Sequence, residues 1–163
     1  MGGSGALCRA ARAGRLRHLT NGRPFGIVGE LDHVWITTDP EVAVFGYLCI
    51  IAKRHAAEPF DLPEADQLAF WKESMAIARA LNELVRPVKM NCEIHRNTLP
   101  HLHMHLYPCH ADDAFVGRPI DIKELHHRYT ESELDALRAM LRDLHSAATE
   151  SSYAGRPNQS DAS

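Results

Sequence analysis

The run His101-Leu102-His103-Met104-His105 sets three imidazoles at alternate positions. In an extended strand successive side chains point to opposite faces, so the three rings would share one face and Leu102, Met104 and Leu106 the other. Packing gains nothing from repeated titratable rings that each need a partner when buried. The row therefore points to chemistry, whereas the scattered His18, His33, His126, His127 and His145 read as ordinary surface or partly buried residues. Two chemistries suit imidazole. A His-x-His pair on a strand can chelate zinc with a third ligand from elsewhere. Strand rise is about 3.3 Å per residue, which separates His101 from His105 by roughly 13 Å, so one ion would use two rings and leave the third without a role. Phosphoryl transfer uses all three: one neutral ring attacks phosphorus, and flanking rings about 7 Å away bind phosphate oxygens or assist the leaving group.

His101 to Tyr107 resembles the His-φ-His-φ-His-φ-φ signature of the histidine triad (HIT) superfamily of nucleotide hydrolases and transferases. Arg86-Pro87-Val88-Lys89-Met90-Asn91 and Asn97-Thr98-Leu99-Pro100 before the triad, and Asp112-Asp113 and Gly117-Arg118-Pro119-Ile120 after it, are similar to a bacterial branch of that superfamily. The likeness runs from about Trp35, through Gly46-Tyr47-Leu48-Cys49-Ile50-Ile51-Ala52-Lys53-Arg54-His55, to Ile122. It implies that His103 is the nucleophile, with its second nitrogen donating to a backbone carbonyl so that the attacking nitrogen stays unprotonated. It further implies His105 as the group on the α-phosphate and leaving group, and His101 as an orienting ring. Asn97 and Thr98 fall in a loop that would line the phosphate, Asn91 would reach phosphate or ribose from the neighbouring strand, and Asp39 would take the ribose hydroxyls, although an Asp-Pro pair also reads simply as a turn. His55, closing Lys53-Arg54-His55, reads better as a surface strand terminus.

The sequence departs from the resemblance in three places: Cys109 where relatives carry arginine, Met104 where an aromatic residue is common, and His95-Arg96 in place of a short apolar residue and glycine. A structural zinc found in some relatives is not expected, because Cys8 is followed by Arg9-Ala10-Ala11 and Tyr47 stands where a ligand histidine would be. No cofactor is expected.

The elements that would hold the row follow from the patterning. Phe25 to Val28, Val34 to Thr37 and Leu48 to Ala52 are β-branched or aromatic runs separated by Gly29, Asp39-Pro40 and Gly46, and read as three antiparallel strands. Asp61-Leu62-Pro63-Glu64 reads as a capped helix start. Beyond it Leu68, Trp71, Met75, Ala78, Leu81 and Val85 recur at helical spacing and are expected to face the core, with the helix ending before Pro87. Val88 to Ile94 makes a fourth strand, hairpinned to the triad strand through His95 to Thr98. A capping box, Thr130 to Glu133, opens a last helix with Leu134, Leu137, Leu141 and Leu144 on one face. Strands around one long helix, then a terminal helix, predict an α+β fold, and the resemblance implies a five-stranded antiparallel sheet. The expected divisions are a basic N-terminal extension over 1–22, with Arg9, Arg12, Arg15 and Arg17 and read as a short helix, the domain over 23–148, and a disordered Ser-rich tail over 149–163.

The 163 residues, 45% hydrophobic with formal charge −3, fit one domain with a real core and give no global attraction to nucleic acid polymer or to an anionic membrane. Four scattered cysteines without Cys-x-x-Cys, and no secretory signal or long apolar span, indicate a cytoplasmic protein with reduced thiols. The leading reading is a metal-independent nucleotide hydrolase or nucleotidyl transferase acting at the α-phosphate through a nucleotidyl-histidine intermediate. Its substrates would be dinucleoside polyphosphates, nucleoside phosphoramidates or adenylylated compounds, with adenine nucleotides favoured and a homodimer implied by the resemblance. The alternatives are a nucleotide-binding or interaction module with little catalysis, encouraged by Cys109, and a zinc protein built on two of the three histidines.

Overall fold

The computed structural model describes residues 19–20, 23–24, 26–95 and 100–154. Strands β1 (Leu19–Thr20) and β2 (Arg23–Pro24) pair with each other. Next come β3 (Ile27–Glu30), β4 (Val34–Thr37), β5 (Glu41–Val42) and β6 (Leu48–Ala52), then a 3₁₀ turn over Pro59–Asp61 and helix α1 (Glu64–Val85). The remainder is β7 (Lys89–Glu93), β8 (His103–Cys109), β9 (His127–Arg128) and helix α2 (Glu131–Ala154). Five strands form one antiparallel sheet in the order β3-β4-β6-β8-β7, while β5 pairs with β9. This is the α+β architecture the patterning predicts, with five antiparallel strands and a long helix after the third of them.

Alternation decides what each face does. Val34 and Ile36, Leu48, Ile50 and Ala52, and Met104 and Leu106 turn to one side, where they are buried with Phe70, Ile77 and Leu81 of α1 and Leu137 and Leu141 of α2. The opposite side carries Cys49 and Ile51 facing His105 and His103, and Glu93 and Asn91 facing His105 and Tyr107. Truncating one of these buried leucines should cost about 2–5 kcal/mol, so the helix face anchors the row of imidazoles on the other side.

Three local expectations change. Ala78 and Leu81 reach the core and Val85 packs against it, but Leu68, Trp71 and Met75 are exposed and Phe70, Ser74 and Ile77 face the sheet in their place. The helix carries two neighbouring apolar stripes, and at about 3.6 residues per turn the sheet can cover only one. Asp61 does not cap α1; its carboxylate accepts from the Glu58 backbone N–H at 3.1 Å inside the preceding 3₁₀ turn, and α1 begins after Pro63. Helix α2 runs to Ala154 rather than stopping near Ala148, since Ala and Glu are good helix formers. The Thr130–Glu133 capping box is present, with Thr130 N–H to Glu133 Oε2 at 2.7 Å and Glu133 N–H to Thr130 Oγ1 at 3.3 Å. The basic segment before Leu19 and the stretch after Ala154 lie outside the described residues.

Gly46, just before β6, has φ +84°, and a Cβ there would meet Pro108 Cγ at 2.9 Å and Val85 Cγ1 at 3.2 Å. Gly117 has φ +77° and open space around it. Gly46→Ala should therefore lose about 2–3 kcal/mol in urea unfolding, from left-handed strain plus contact, and Gly117→Ala only about 1 kcal/mol from strain. Equal losses at the two sites would show that the contact with Pro108 and Val85 carries no weight.

Candidate active site

Strand β8 lies between β6 and β7, and its first residue is His103. His103 is 8% exposed and its Nδ1 lies 2.7 Å from the carbonyl oxygen of His101. A carbonyl only accepts, so Nδ1 carries the hydrogen and Nε2 keeps its lone pair.

His101 stands just outside the strand, where the segment turns: Leu102 N–H donates to Ala56 O and Leu102 O accepts from Ala52 N–H. Its ring is 2% exposed, with Nε2 2.7 Å from Ala52 O and Nδ1 2.9 Å from Nδ1 of His55. The carbonyl assigns the hydrogen to Nε2, which makes Nδ1 the acceptor and His55 the donor. Burial, followed by the neighbouring His55 and His103, holds the His101 pKa below the ordinary imidazole range and keeps this ring neutral. His101 thus orients the central histidine through its main chain, while its ring ties the segment to the end of β6. His55 is exposed, as a strand terminus would be, yet it is bonded into the row.

His105 sits beside His103 on the same face, ring centroids 4.9 Å apart and nearly perpendicular at 86°. The rings lean toward each other, inside the roughly 7 Å that backbone spacing alone gives. Tyr47 and Tyr107 stack on His105 at 5.9 and 5.7 Å, and Tyr47 Oη is 2.8 Å from His105 Nδ1. Burial, with smaller contributions from His103 and His95, pushes the His105 pKa down to about 4. Burial also raises the Tyr47 phenol, chiefly by desolvation with Cys49 adding to it, and pushes the Cys49 thiol up to about 12. The floor under His105 is therefore uncharged at neutral pH.

The rim is polar. His95 meets His105 edge to face at 5.5 Å, and its Nε2 is 2.8 Å from Oε2 of Glu93, the residue opposite His105 on β7. Asn91 faces Tyr107, and its amide donates to Cys109 Sγ at 3.2 Å, one step along the sheet from His105. Asp39 is exposed beyond β4 and follows Thr38, whose Oγ1 donates to the Tyr47 carbonyl at 2.8 Å. Asn97 and Thr98 lie outside the described residues. Tyr47, Glu93 and His95 are site residues that patterning did not assign; the alternation of Asn91, Glu93 and His95 was the available signal for the last two. Among the described residues no three His, Cys, Asp or Glu side chains converge as metal ligands would.

A family model described as the HIT domain matches residues 22–112, more than half of the chain. A histidine triad protein from Bradyrhizobium japonicum superposes with a TM-score of 0.62 at 23% identity, over 73% of this chain and 89% of that one. One from Marinobacter aquaeolei gives 0.63 at 22%, over 74% and 88%, and one from Sinorhizobium meliloti 0.63 at 19%, over 72% and 87%. No curated protein matches the chain. With the triad inside the matched stretch and the five-stranded sheet shared by these structures, the chain belongs to the HIT domain family.

Proposed function

We propose that the chain is a nucleotide hydrolase or nucleotidyl transferase working at the α-phosphate through a nucleotidyl-His103 intermediate. The observation that carries this reading is the 2.7 Å bond from His103 Nδ1 to the His101 carbonyl, which leaves an unprotonated Nε2 as nucleophile. That nitrogen attacks phosphorus, an N–P bond forms, and the bond from phosphorus to the leaving group, P–O in a polyphosphate or P–N in a phosphoramidate, breaks with its electron pair going to the leaving oxygen or nitrogen. Water then attacks the phosphorus and the N–P bond breaks, returning the lone pair to His103 and releasing the mononucleotide. A nucleotide acceptor in place of water makes the same site a transferase. His105 holds an α-phosphate oxygen, and Asn97 and Thr98 complete the phosphate cradle. Asp39 and Asn91 serve the ribose side. The reading calls for no metal: hydrogen bonds engage Nδ1 of His103, both nitrogens of His101 and Nδ1 of His105, and phosphate chemistry uses the Nε2 atoms of His103 and His105.

The substrate classes that suit this chemistry are dinucleoside polyphosphates, nucleoside phosphoramidates and adenylylated compounds, with an adenine nucleotide as the transferred group. A cytoplasmic setting is supported by the free thiols of Cys49, Cys92 and Cys109. Among the described residues no helix is long and apolar enough to cross a membrane. A homodimer is supported by the unused apolar stripe Leu68, Trp71 and Met75 on α1 and by β7 at the sheet edge. One observation favours a weakly catalytic nucleotide-binding module: β8 ends on Cys109 bonded to Asn91, which leaves Lys89, opposite Cys109 on β7, as the cation at that end of the row to hold a polyphosphate.

Mass spectrometry of enzyme quenched during turnover of diadenosine tetraphosphate or an AMP phosphoramidate should locate an acid-labile nucleotidyl adduct on His103. His103→Ala should reduce turnover by a factor on the order of 10³ or more. Tight AMP binding with no adduct and no turnover would favour the binding module instead.

Stability should also depend on pH. His101 and His105 are held neutral in the fold but take protons freely once unfolded, so the unfolded state binds more protons below about pH 6.5. Stability is complete above that pH and falls as pH drops, His105 accounting for ~3 kcal/mol by about pH 4. Urea unfolding between pH 7 and pH 4 should show this slope, and His105→Asn should flatten it. Light scattering should give a dimer mass for the parent chain and a monomer for Trp71→Glu; a monomeric parent would remove the dimer from this reading.

A further inference from the structure

The structure places a phenol where it can decide which nitrogen of His105 carries a proton. Tyr47 Oη lies 2.8 Å from His105 Nδ1 and its ring stacks on His105 at 20°. Tyr107 closes on Tyr47 at 5.1 Å. The backbone beneath is clamped as well: the Tyr47 carbonyl accepts from Thr38 Oγ1 at 2.8 Å and from Tyr129 Oη at 3.1 Å, and its N–H reaches Val44 O at 3.3 Å. One ring contact and three main-chain hydrogen bonds therefore hold a residue whose phenolic oxygen meets a single ring nitrogen.

We propose that Tyr47 is a positioning residue that fixes the tautomer of His105, its O–H donating to Nδ1 so that an Nε2–H is presented to the phosphate. Direction follows from chemistry. A phenol is a better donor than acceptor, and an unprotonated imidazole nitrogen is a better acceptor than a phenolic oxygen. The reverse orientation would aim an Nε2 lone pair at an anionic phosphate and would forfeit the interaction that His105 exists to make. A phenol also adds no positive charge at any pH, so His105 stays neutral beside His103 and His95. The two neighbouring rings thus take opposite tautomers: Nδ1–H on His103 leaves a nucleophile, and Nε2–H on His105 leaves a donor.

The phosphate-facing half of this proposal rests on the function proposed above; the tautomer itself does not. Long-range proton–nitrogen correlation on the resting enzyme, labelled with ¹⁵N-histidine, should show His105 as a single species with Nδ1 bare and Nε2 protonated, and His103 with the reverse. Tyr47→Phe keeps the stack and removes the donor. It should give a mixed His105 tautomer, raise the acid titration of His105 by about one pH unit, and lower kcat/KM by about 10- to 100-fold. A His105 with protonated Nδ1 in the parent enzyme overturns the proposal without any variant being needed. An unchanged tautomer and titration in Tyr47→Phe overturns it too, and so does a changed tautomer with kcat/KM unaltered. Absence of nucleotide turnover in the parent would sink the function proposed above, and the nitrogen shifts would still decide the tautomer.

Discussion

One hydrogen bond governs the site: the Nδ1–H of His103 on the carbonyl of His101. It exists because β8 starts at His103, two residues later than the alternation of side chains suggests. A carbonyl inside an antiparallel ladder is consumed by the neighbouring strand. By leaving the ladder at His101, the chain frees that oxygen for the imidazole two residues on, and the bend at Pro100 and His101, with Leu102 bonded to Ala52 and Ala56, keeps it there. The first histidine consequently serves the second through its main chain rather than its ring, and the ring is free to anchor the segment against Ala52 and His55.

Two rings of the row, His101 and His105, are held uncharged by the fold. Five imidazoles, His55, His101, His103, His105 and His95, follow one another across the face, with the nearest ring pairs about 5 Å apart. Adjacent protonated rings in a partly buried setting repel each other strongly, and desolvation disfavours each charge separately. Both effects lower the pKa values of His101 and His105, and donors and acceptors along the triad are sorted by fixed partners: Ala52 O for His101, His101 O for His103, and Tyr47 Oη for His105. The tautomers of the triad are thus tied to atoms of β6, of the residue just before it, and of the segment entering β8. That dependence couples the chemistry to the register of the sheet, since a one-residue slip between β6 and β8 would turn Tyr47 and Cys49 to the opposite face.

The sheet meets this demand by giving its two faces separate tasks. The helix side is filled by Ile36, Leu48, Ile50, Leu106 and their partners on α1 and α2, so that stability comes from one face and the polar groups of the other need not supply it. The same division leaves the Leu68, Trp71 and Met75 stripe of α1 uncovered, as a surface with no role inside this chain.

The sequence by itself determined the α+β class, strands 34–37 and 48–52 to the residue, the Thr130–Glu133 box and the leucine stripe of α2, because each depends on alternation, helical period or capping within a few neighbouring residues. It also singled out the histidine row, since no packing requirement repeats a titratable ring at every second position. Tertiary structure alone decided which apolar stripe of α1 meets the sheet, because two stripes of similar hydrophobicity compete and only the completed core chooses Phe70 and Ile77. It alone brought Tyr47 opposite Tyr107 and onto His105, and His55 onto His101, contacts spanning 58 and 46 residues that rest on strand register, a property no local pattern encodes. And it alone assigned the hydrogens, for an imidazole takes its tautomer from the atom it faces, and that atom is supplied by the fold.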